Sequence, residues 1–163
     1  MQKQSSRSLT VGIGSIILII IIVLVVVLVY RHKNANSVSS MSTAQINSAE
    51  QQIKSNWKTF FATTTSLQNR ENLLQNGSQF TQEIQGEFAA LGAESFSSTI
   101  NSVNLTNTTA ANVVYTVTLG GQTVLKDEKG TAVKVKNTWV VSDTSLCQLL
   151  GLGGSKPAVC KTT

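Results

Sequence analysis

The 163-residue sequence predicts an α+β domain that follows one apolar segment of membrane length. Residues 11–30, VGIGSIILIIIIVLVVVLVY, contain no charged residue, proline or amide side chain. Apolar residues then recur at spacings of three and four as far as residue 91, and at spacings of two beyond residue 99. Since helices repeat about every 3.6 residues and strands about every 2, this order predicts about three helices packed on one face of an antiparallel sheet of about four strands.

Residues 11–30 are predicted to form a single transmembrane helix. At about 1.5 Å of rise per residue they span roughly 30 Å, the thickness of a bilayer's hydrocarbon core. A cleaved signal peptide is the alternative, with Lys3 and Arg7 as its basic region. The apolar part of a signal peptide is normally about 7 to 15 residues long and precedes a small-residue cleavage site. The run in this chain is longer and ends in Tyr30 and a basic cluster, so we expect an uncleaved anchor.

The predicted organisation is a cytoplasmic tail (1–10), the transmembrane helix (11–30), a flexible linker (31–43) and an extracytoplasmic domain (44–163). Residues 34–43, NANSVSSMST, are mostly small and polar, so they cannot form a core. The basic residues on the two sides of the apolar segment nearly balance, and the orientation therefore depends on the cysteines of the domain instead.

The positive charge of the chain lies beside the apolar segment. Of the formal net charge of +5, four units come from Lys3, Arg7, Arg31 and Lys33. Residues 34–163 hold nine Lys or Arg against eight Asp or Glu, which leaves +1. A nucleic-acid-binding domain needs a basic stripe on its folded part, so no nucleic-acid partner is predicted.

The spacing of the apolar residues gives bounds for each element. The first helix begins near residue 43 or 44 and carries the stripe Ile46, Ala49, Ile53, Trp57, Phe60 and Phe61. A second helix at 68–75 ends before Asn76-Gly77, where glycine suits a left-handed cap. A third helix begins after Ser78 and ends at Gly92. Strands are predicted at 99–105, at 111–119, at 122–125 and 131–136 on either side of a polar run, and at 139–142.

Side chains for catalysis or metal binding are few in the domain. His32 is the only histidine and lies beside the apolar segment, so a Ser/His/Asp or Cys/His nucleophile has no base. Two cysteines without a nearby histidine make a poor zinc site. The sequence GLGG at 151–154 follows a predicted helix rather than a strand, unlike a phosphate-binding loop. No catalytic residue, metal or cofactor is therefore predicted.

Cys147 and Cys160 are predicted to form a disulfide. They are the only cysteines, no histidine is available to share a metal with them, and a translocated domain lies in an oxidising compartment. The alternative is a pair of free thiols in a cytosolic domain. The bond is also the main argument from the sequence for an extracytoplasmic location.

Several segments resemble one bacterial family. They are LLQNGSQF (73–80), LGGQTVL (119–125) and, above all, GTAVKVKNTWVVSDTSLCQLL followed by PAVC (130–160). These runs are similar to the low-molecular-weight secreted antigens of mycobacteria and related actinobacteria, over roughly residues 53–160. The resemblance implies an exported protein with a nuclear-transport-factor-like fold, a cone in which a curved sheet wraps around a long helix. It implies no catalytic residue, and release after signal cleavage would make the chain a secreted antigen.

Trp57, Tyr115 and Asp143 are the candidate ligand-pocket residues. Some relatives with the cone fold are isomerases or cyclases that use a pocket Asp with a Tyr donor, so Tyr115 and Asp143 define a small acid/base enzyme as one alternative. In the other interpretation Tyr115 belongs to the core, together with Val113 and Val117, and Asp143 caps a helix.

The function favoured by the sequence is that of a non-enzymatic, membrane-anchored module at the cell envelope. Its predicted partners are membrane lipid, through residues 11–30, and a small apolar ligand, a lipid or an envelope protein bound by the domain. An apolar pocket without paired titratable groups would favour this function, whereas a pocket built around Asp143 would favour the enzyme.

Overall fold

The domain has the predicted order of helices followed by strands. The computed structural model describes residues 37–90, 94–154 and 157–161. Within these ranges the helices are α1 (Thr43–Phe61), α2 (Leu67–Asn72), α3 (Thr81–Ala90) and α4 (Asp143–Leu152), with short 3-10 helices at Val38–Ser40, Gly77–Gln79 and Ala158–Lys161. The strands are β1 (Phe96–Asn107), β2 (Ala110–Leu119), β3 (Gln122–Val135) and β4 (Thr138–Val141), which form one antiparallel sheet in the order β1-β2-β3-β4. The α+β prediction is confirmed, and the described residues contain a fourth helix, α4, which follows the sheet.

The predicted tail (1–10) and transmembrane helix (11–30) lie outside the described residues. Within the described ranges, no helix has both the length and the apolar character needed to cross a membrane. The predicted linker 31–43 is described from residue 37 onward. There the chain forms the 3-10 helix Val38–Ser40, and Val38 and Met41 pack against the core. The domain thus begins before residue 44, because two apolar side chains of the polar run contact its core.

Helix α1 begins at a capping box and buries one face. The Ser42 side chain accepts from Gln45 N, while the Gln45 side chain accepts from Ser42 N, so two free backbone donors are satisfied. The buried face is Ala49, Ile53, Trp57, Phe60 and Phe61, which is the predicted stripe apart from the half-buried Ile46. This face packs on β1 and β4.

Helix α2 ends three residues earlier than predicted because the chain after it pairs with the sheet. Gln75 N donates to Val141 O at 2.8 Å, and Val141 N donates to Leu73 O at 2.9 Å. These bonds place Leu74 beside β4 as a parallel bridge. The pairing covers the outer edge of β4, which would otherwise expose unpaired backbone groups.

In the turn after this bridge, Asn76 and Gly77 have different roles from those predicted. Asn76, and not Gly77, has the left-handed backbone conformation, with φ of 52°. Gly77 is required for space instead, because a Cβ atom there would clash with the backbone carbonyl of Glu71. Asparagine tolerates the left-handed region better than most residues, so both requirements are met by this pair.

Strand β3 is continuous through the polar run that the sequence analysis placed between two strands. The strand takes up the run as a bulge, since one extra residue of β3 lies between the pairs Tyr115–Glu128 and Val117–Leu125. Asp127, at this bulge, has φ of 54°. Strand β1 has a bulge of its own at Asn101, whose Nδ2 donates to Asp127 Oδ1 at 2.6 Å. Bulges bend a strand and increase its twist, so the sheet bends along this line.

The C-terminal segment is fastened to α4 by the predicted disulfide. Cys147 and Cys160 are bonded, with a Cα–Cα distance of 5.5 Å. The bond joins the middle of α4 to the 3-10 helix Ala158–Lys161. The disulfide prediction is confirmed.

Candidate functional site

An apolar cavity of about 290 Å³ lies between α3, α4 and the sheet. Its floor consists of the buried side chains of Phe60, Ile84, Val117, Leu146 and Leu150. Its mouth is open to solvent, since two of its apolar lining residues, Val124 and Leu152, are 49% and 59% exposed. Large exposed apolar side chains around a concave site are typical of surfaces that bind a ligand or partner.

The walls of the cavity follow from local features of the sequence. Leu146, Leu149 and Leu150 recur at spacings of three and four, so α4 turns them to one side. On the sheet, the β2–β3 pairing skips Val124 between Val117–Leu125 and Thr118–Thr123, which makes Val124 a bulged residue. Neighbouring residues of a regular strand face opposite sides, but the bulge lets both Val124 and Leu125 line the cavity.

Two carboxylates lie among the lining residues. Glu83 and Glu87 are one turn apart on α3, on the same side as Ile84 and Phe88. Glu83 is half-buried and Glu87 is exposed. Within the described part of the chain, neither side chain has an ion pair or hydrogen bond. None of the described lining residues is Lys, Arg or His.

A buried arginine supports the aromatic side of the cavity. The Arg70 guanidinium carbon lies 3.4 Å from the centre of the Phe88 ring, although Arg70 is not itself a lining residue. Its Nε donates to Thr65 O at 3.2 Å, Nη2 donates to Ala62 O at 2.6 Å, and Nη1 donates to Phe60 O. Burial lowers the pKa of Arg70 to about 10. The acceptors lie at or beyond the C-terminus of α1, where backbone carbonyls carry partial negative charge.

Two of the predicted pocket residues, Trp57 and Tyr115, lie in a filled part of the core. Their ring centroids are 5.4 Å apart, and Tyr115 lies 5.5 Å from Phe61, so these three side chains form an aromatic cluster. Gly130 allows close approach, since a Cβ atom there would lie 3.0 Å from the Trp57 ring. Tyr115 is 3% exposed, and burial, with a smaller contribution from Glu128, raises its pKa to about 12. Neither Trp57 nor Tyr115 lines the cavity.

Asp143, the third predicted pocket residue, is held at the start of α4. Its Oδ1 accepts from Thr144 N at 2.7 Å and its Oδ2 accepts from Asn76 Nδ2 at 3.0 Å. The cap of α4 is the preceding residue, Ser142, whose side chain accepts from Ser145 N. The interpretation of Asp143 as a cap is therefore off by one residue. Asp143 does not line the cavity, and no hydrogen bond joins it to Tyr115, so this predicted pair is not brought together.

A metal site is not apparent in the described ranges, where no three His, Cys, Asp or Glu side chains cluster suitably for an ion. What the described residues define is a disulfide-bonded α+β domain with one face of its sheet covered by helices and an apolar cavity beneath two of them.

The comparison with known families agrees with the resemblance noted in the sequence. Residues 46–157 match the family described as low molecular weight antigen MTB12, C-terminal domain. The match covers more than half of the chain, and the chain belongs to this family. No curated protein and no solved structure matches the chain.

Proposed function

We propose that the domain is a non-enzymatic binding module of the cell envelope, which holds one small apolar ligand in the cavity between α3, α4 and the sheet. The observation that supports this is the apolar, open-mouthed cavity of about 290 Å³. Ligand pockets commonly measure roughly 300 to 1,000 Å³, so this one suits a small ligand. At about 30 Å³ for each water-sized group, it accommodates roughly ten heavy atoms, the size of a short alkyl chain.

The shape of the walls supports an alkyl chain as the occupant. The floor residues are aliphatic or aromatic, and the polar lining groups stand on α3 at one side. A ligand with an extended apolar part would displace water from the floor, where no polar side chain would lose a hydrogen bond to that water. A protein partner could offer only a single inserted side chain to a cavity of this volume. We therefore propose a small molecule, with protein binding as an outcome of the test.

The disulfide supports the proposed location. Bonds of this kind persist in oxidising compartments and are rare in the cytosol. We propose that residues 11–30 anchor the chain, with the N-terminus cytoplasmic and the domain outside the membrane. Cleavage after the apolar segment is the alternative, and it would release the same domain with the same cavity. We also propose that the bent sheet and α1 form the cone of nuclear-transport-factor-like proteins.

The acid/base enzyme has less support as a function. Such an enzyme would need an Asp and a Tyr facing one substrate pocket. Tyr115 is enclosed by Trp57 and Phe61, and Asp143 is bonded to Asn76 and Thr144. Neither residue faces the cavity, so we propose no catalysis there.

Photolabelling tests the proposed function. The full chain, in nanodiscs of zwitterionic lipid, would be exposed to decanol that carries a photoreactive diazirine in its chain, and labelled peptides would be identified by mass spectrometry. We expect saturable labelling of peptides from α3, β3 and α4. Leu149→Trp, which places a larger side chain in the cavity, should abolish it. Val135→Trp is the matched control, because Val135 is a partly exposed residue outside the cavity.

Labelling that stays unsaturated, or that is equal in the wild type and Leu149→Trp, would contradict the proposal. A protein captured in place of the probe, and lost in Leu149→Trp, would replace the small ligand with a protein partner. The melting temperature of each variant should be measured alongside, so that loss of labelling is not confused with unfolding.

A further inference from the structure

We infer that Glu83 and Glu87 make the cavity selective for an apolar ligand with a positively charged end, and against one that ends in a carboxylate. This inference rests on the proposed function and specifies the class of ligand. The apolar cavity accepts the alkyl part of the ligand, and the two glutamates determine which charge its end group can carry.

The positions of the two carboxylates support this selectivity. Ile84 and Phe88 line the apolar part of the cavity, and Glu83 and Glu87 line it from the same side of α3. Ile84 is buried, whereas Glu83 is half-buried and Glu87 is exposed, so both carboxylates are nearer to solvent than the apolar floor is. The carboxylates are free of internal partners within the described residues. An ammonium group at the end of an alkyl chain could therefore pair with them without breaking an existing bond.

A carboxylate end would find no comparable partner. Among the described lining residues, a fatty-acid anion would meet two negative charges and no positive one. Arg70 is the cation behind the aromatic side, but its three nitrogens donate to the carbonyls of Phe60, Ala62, Thr63 and Thr65. Binding a ligand carboxylate would require Arg70 to release these acceptors in a buried setting.

The expected size of the preference is modest because the mouth is open to water. An exposed ion pair typically changes an equilibrium by about threefold, and the factors of two carboxylates multiply to a preference of about tenfold between opposite end groups. Salt should reduce it, since raising the ionic strength from about 0.01 M to about 1 M shortens the screening length from about 30 Å to about 3 Å.

Competition against the photoreactive decanol tests the inference in the full chain in nanodiscs. The competitors are decylamine, decanol and decanoate, which share one chain and differ in the end group. Their concentrations must be corrected for partition into empty nanodiscs. In the wild type we expect decylamine to displace the label at a concentration about tenfold below that of decanoate, with decanol between them.

The glutamate variants assign this preference to the two side chains. In Glu83→Gln/Glu87→Gln the ratio between the displacing concentrations of decylamine and decanoate should fall close to one. Glu50→Gln on α1 removes a carboxylate outside the cavity and should keep the wild-type ratio. Raising the salt concentration should lower the ratio between decylamine and decanoate in the wild type and leave that ratio unchanged in the double variant.

The outcomes separate this inference from the proposed function. Saturable labelling of the cavity with equal displacement by all three competitors would overturn the charge selectivity and leave the apolar site standing. A preference for decylamine that persists in the double variant would also overturn it. Absence of saturable labelling in the wild type would overturn the proposed function, and this inference with it.

Discussion

Two regions lie between the helices and the sheet, and they are packed differently. Beneath α1, the aromatic cluster of Trp57, Phe61 and Tyr115 fills its space, with ring centroids 5.4 and 5.5 Å apart for the two contacts that Tyr115 makes. Beneath α3 and α4, leucines and the rings of Phe60, Phe88 and Phe96 surround a cavity of about 290 Å³, and the Phe88 ring meets the other two edge to face. In both regions, apolar side chains of a helix face apolar side chains of the sheet, so the sequence pattern is the same for the two. They differ in how completely the side chains fill the space between helix and sheet.

This difference has a local physical basis. On the α1 side, Gly130 leaves room for the Trp57 ring to lie against β3. On the other side, the bulge at Val124 lets two adjacent residues of β3 line the cavity beneath α3 and α4. The filled region stabilises the domain, and the open one contains the cavity that we propose as a ligand site.

The largest expected effect comes from truncating one side chain in each region. Trp57→Ala should lower the free energy of unfolding by about 3 to 5 kcal/mol, since it removes a buried ring and leaves a void. Leu149→Ala should cost only about 1 kcal/mol, because Leu149 is half-buried beside an existing cavity. Urea unfolding followed by circular dichroism would measure both. Equal losses would contradict the distinction between a filled and an open region.

Removing the donors of Arg70 should have the next largest effect. Arg70→Met keeps much of the side-chain length but leaves the carbonyls of Phe60, Ala62 and Thr65 without these donors, which should cost about 3 kcal/mol. Arg70→Lys should cost less, because an ammonium can still reach some of them. Labelling by the decanol probe should be retained in Arg70→Lys. A lysine variant of normal stability that no longer binds the probe would place Arg70 in the ligand site.

The smallest expected effect is a loss of stability at alkaline pH. Tyr115 has a folded-state pKa of about 12 against about 10 when unfolded, so the unfolded chain loses this proton first. The contribution is fully present below pH 10 and is lost as the pH rises from about 10 to about 12. The stability lost by pH 11 should amount to about 1 kcal/mol.

Tyr115→Phe provides the comparison, since it should lose about 1 kcal/mol less than the wild type between pH 9 and pH 11 in urea unfolding. Tyr30→Phe, which changes the other tyrosine, should follow the wild type. An identical pH dependence in Tyr115→Phe and the wild type would show that water reaches the aromatic cluster.

Much of the fold could be predicted because it depends on periodicity. The stripe from Ile46 to Phe61 gave α1 nearly to the residue, and the alternation at 111–119 gave β2. The disulfide followed from the absence of any other partner for Cys147 and Cys160. The helix and the strand each depend on the pattern within one segment, and the disulfide depends on the count of cysteines, so the sequence contains this information directly.

The site could not be predicted, because it depends on how segments meet. The charged run at 126–130 has the composition of a loop, yet β3 continues through it as a bulge bonded to Asn101. Arg70 lies in the polar stretch LQNREN, which gives no sign that its side chain is 3% exposed. The cavity itself depends on side-chain volumes across six elements, and the alternation of apolar residues contains no measure of volume.

The most direct test of the central claim is to ask whether the protein already contains a ligand. The full chain would be purified from its native host without reductant and in the mildest conditions that keep it dispersed, and released small molecules would be quantified by mass spectrometry. We predict close to one apolar molecule for each chain in the wild type and in Val135→Trp, and almost none in Leu149→Trp of equal stability. An equal amount in all three proteins, or none in any after reconstitution with alkyl ligands, would contradict the assignment of the cavity as a binding site.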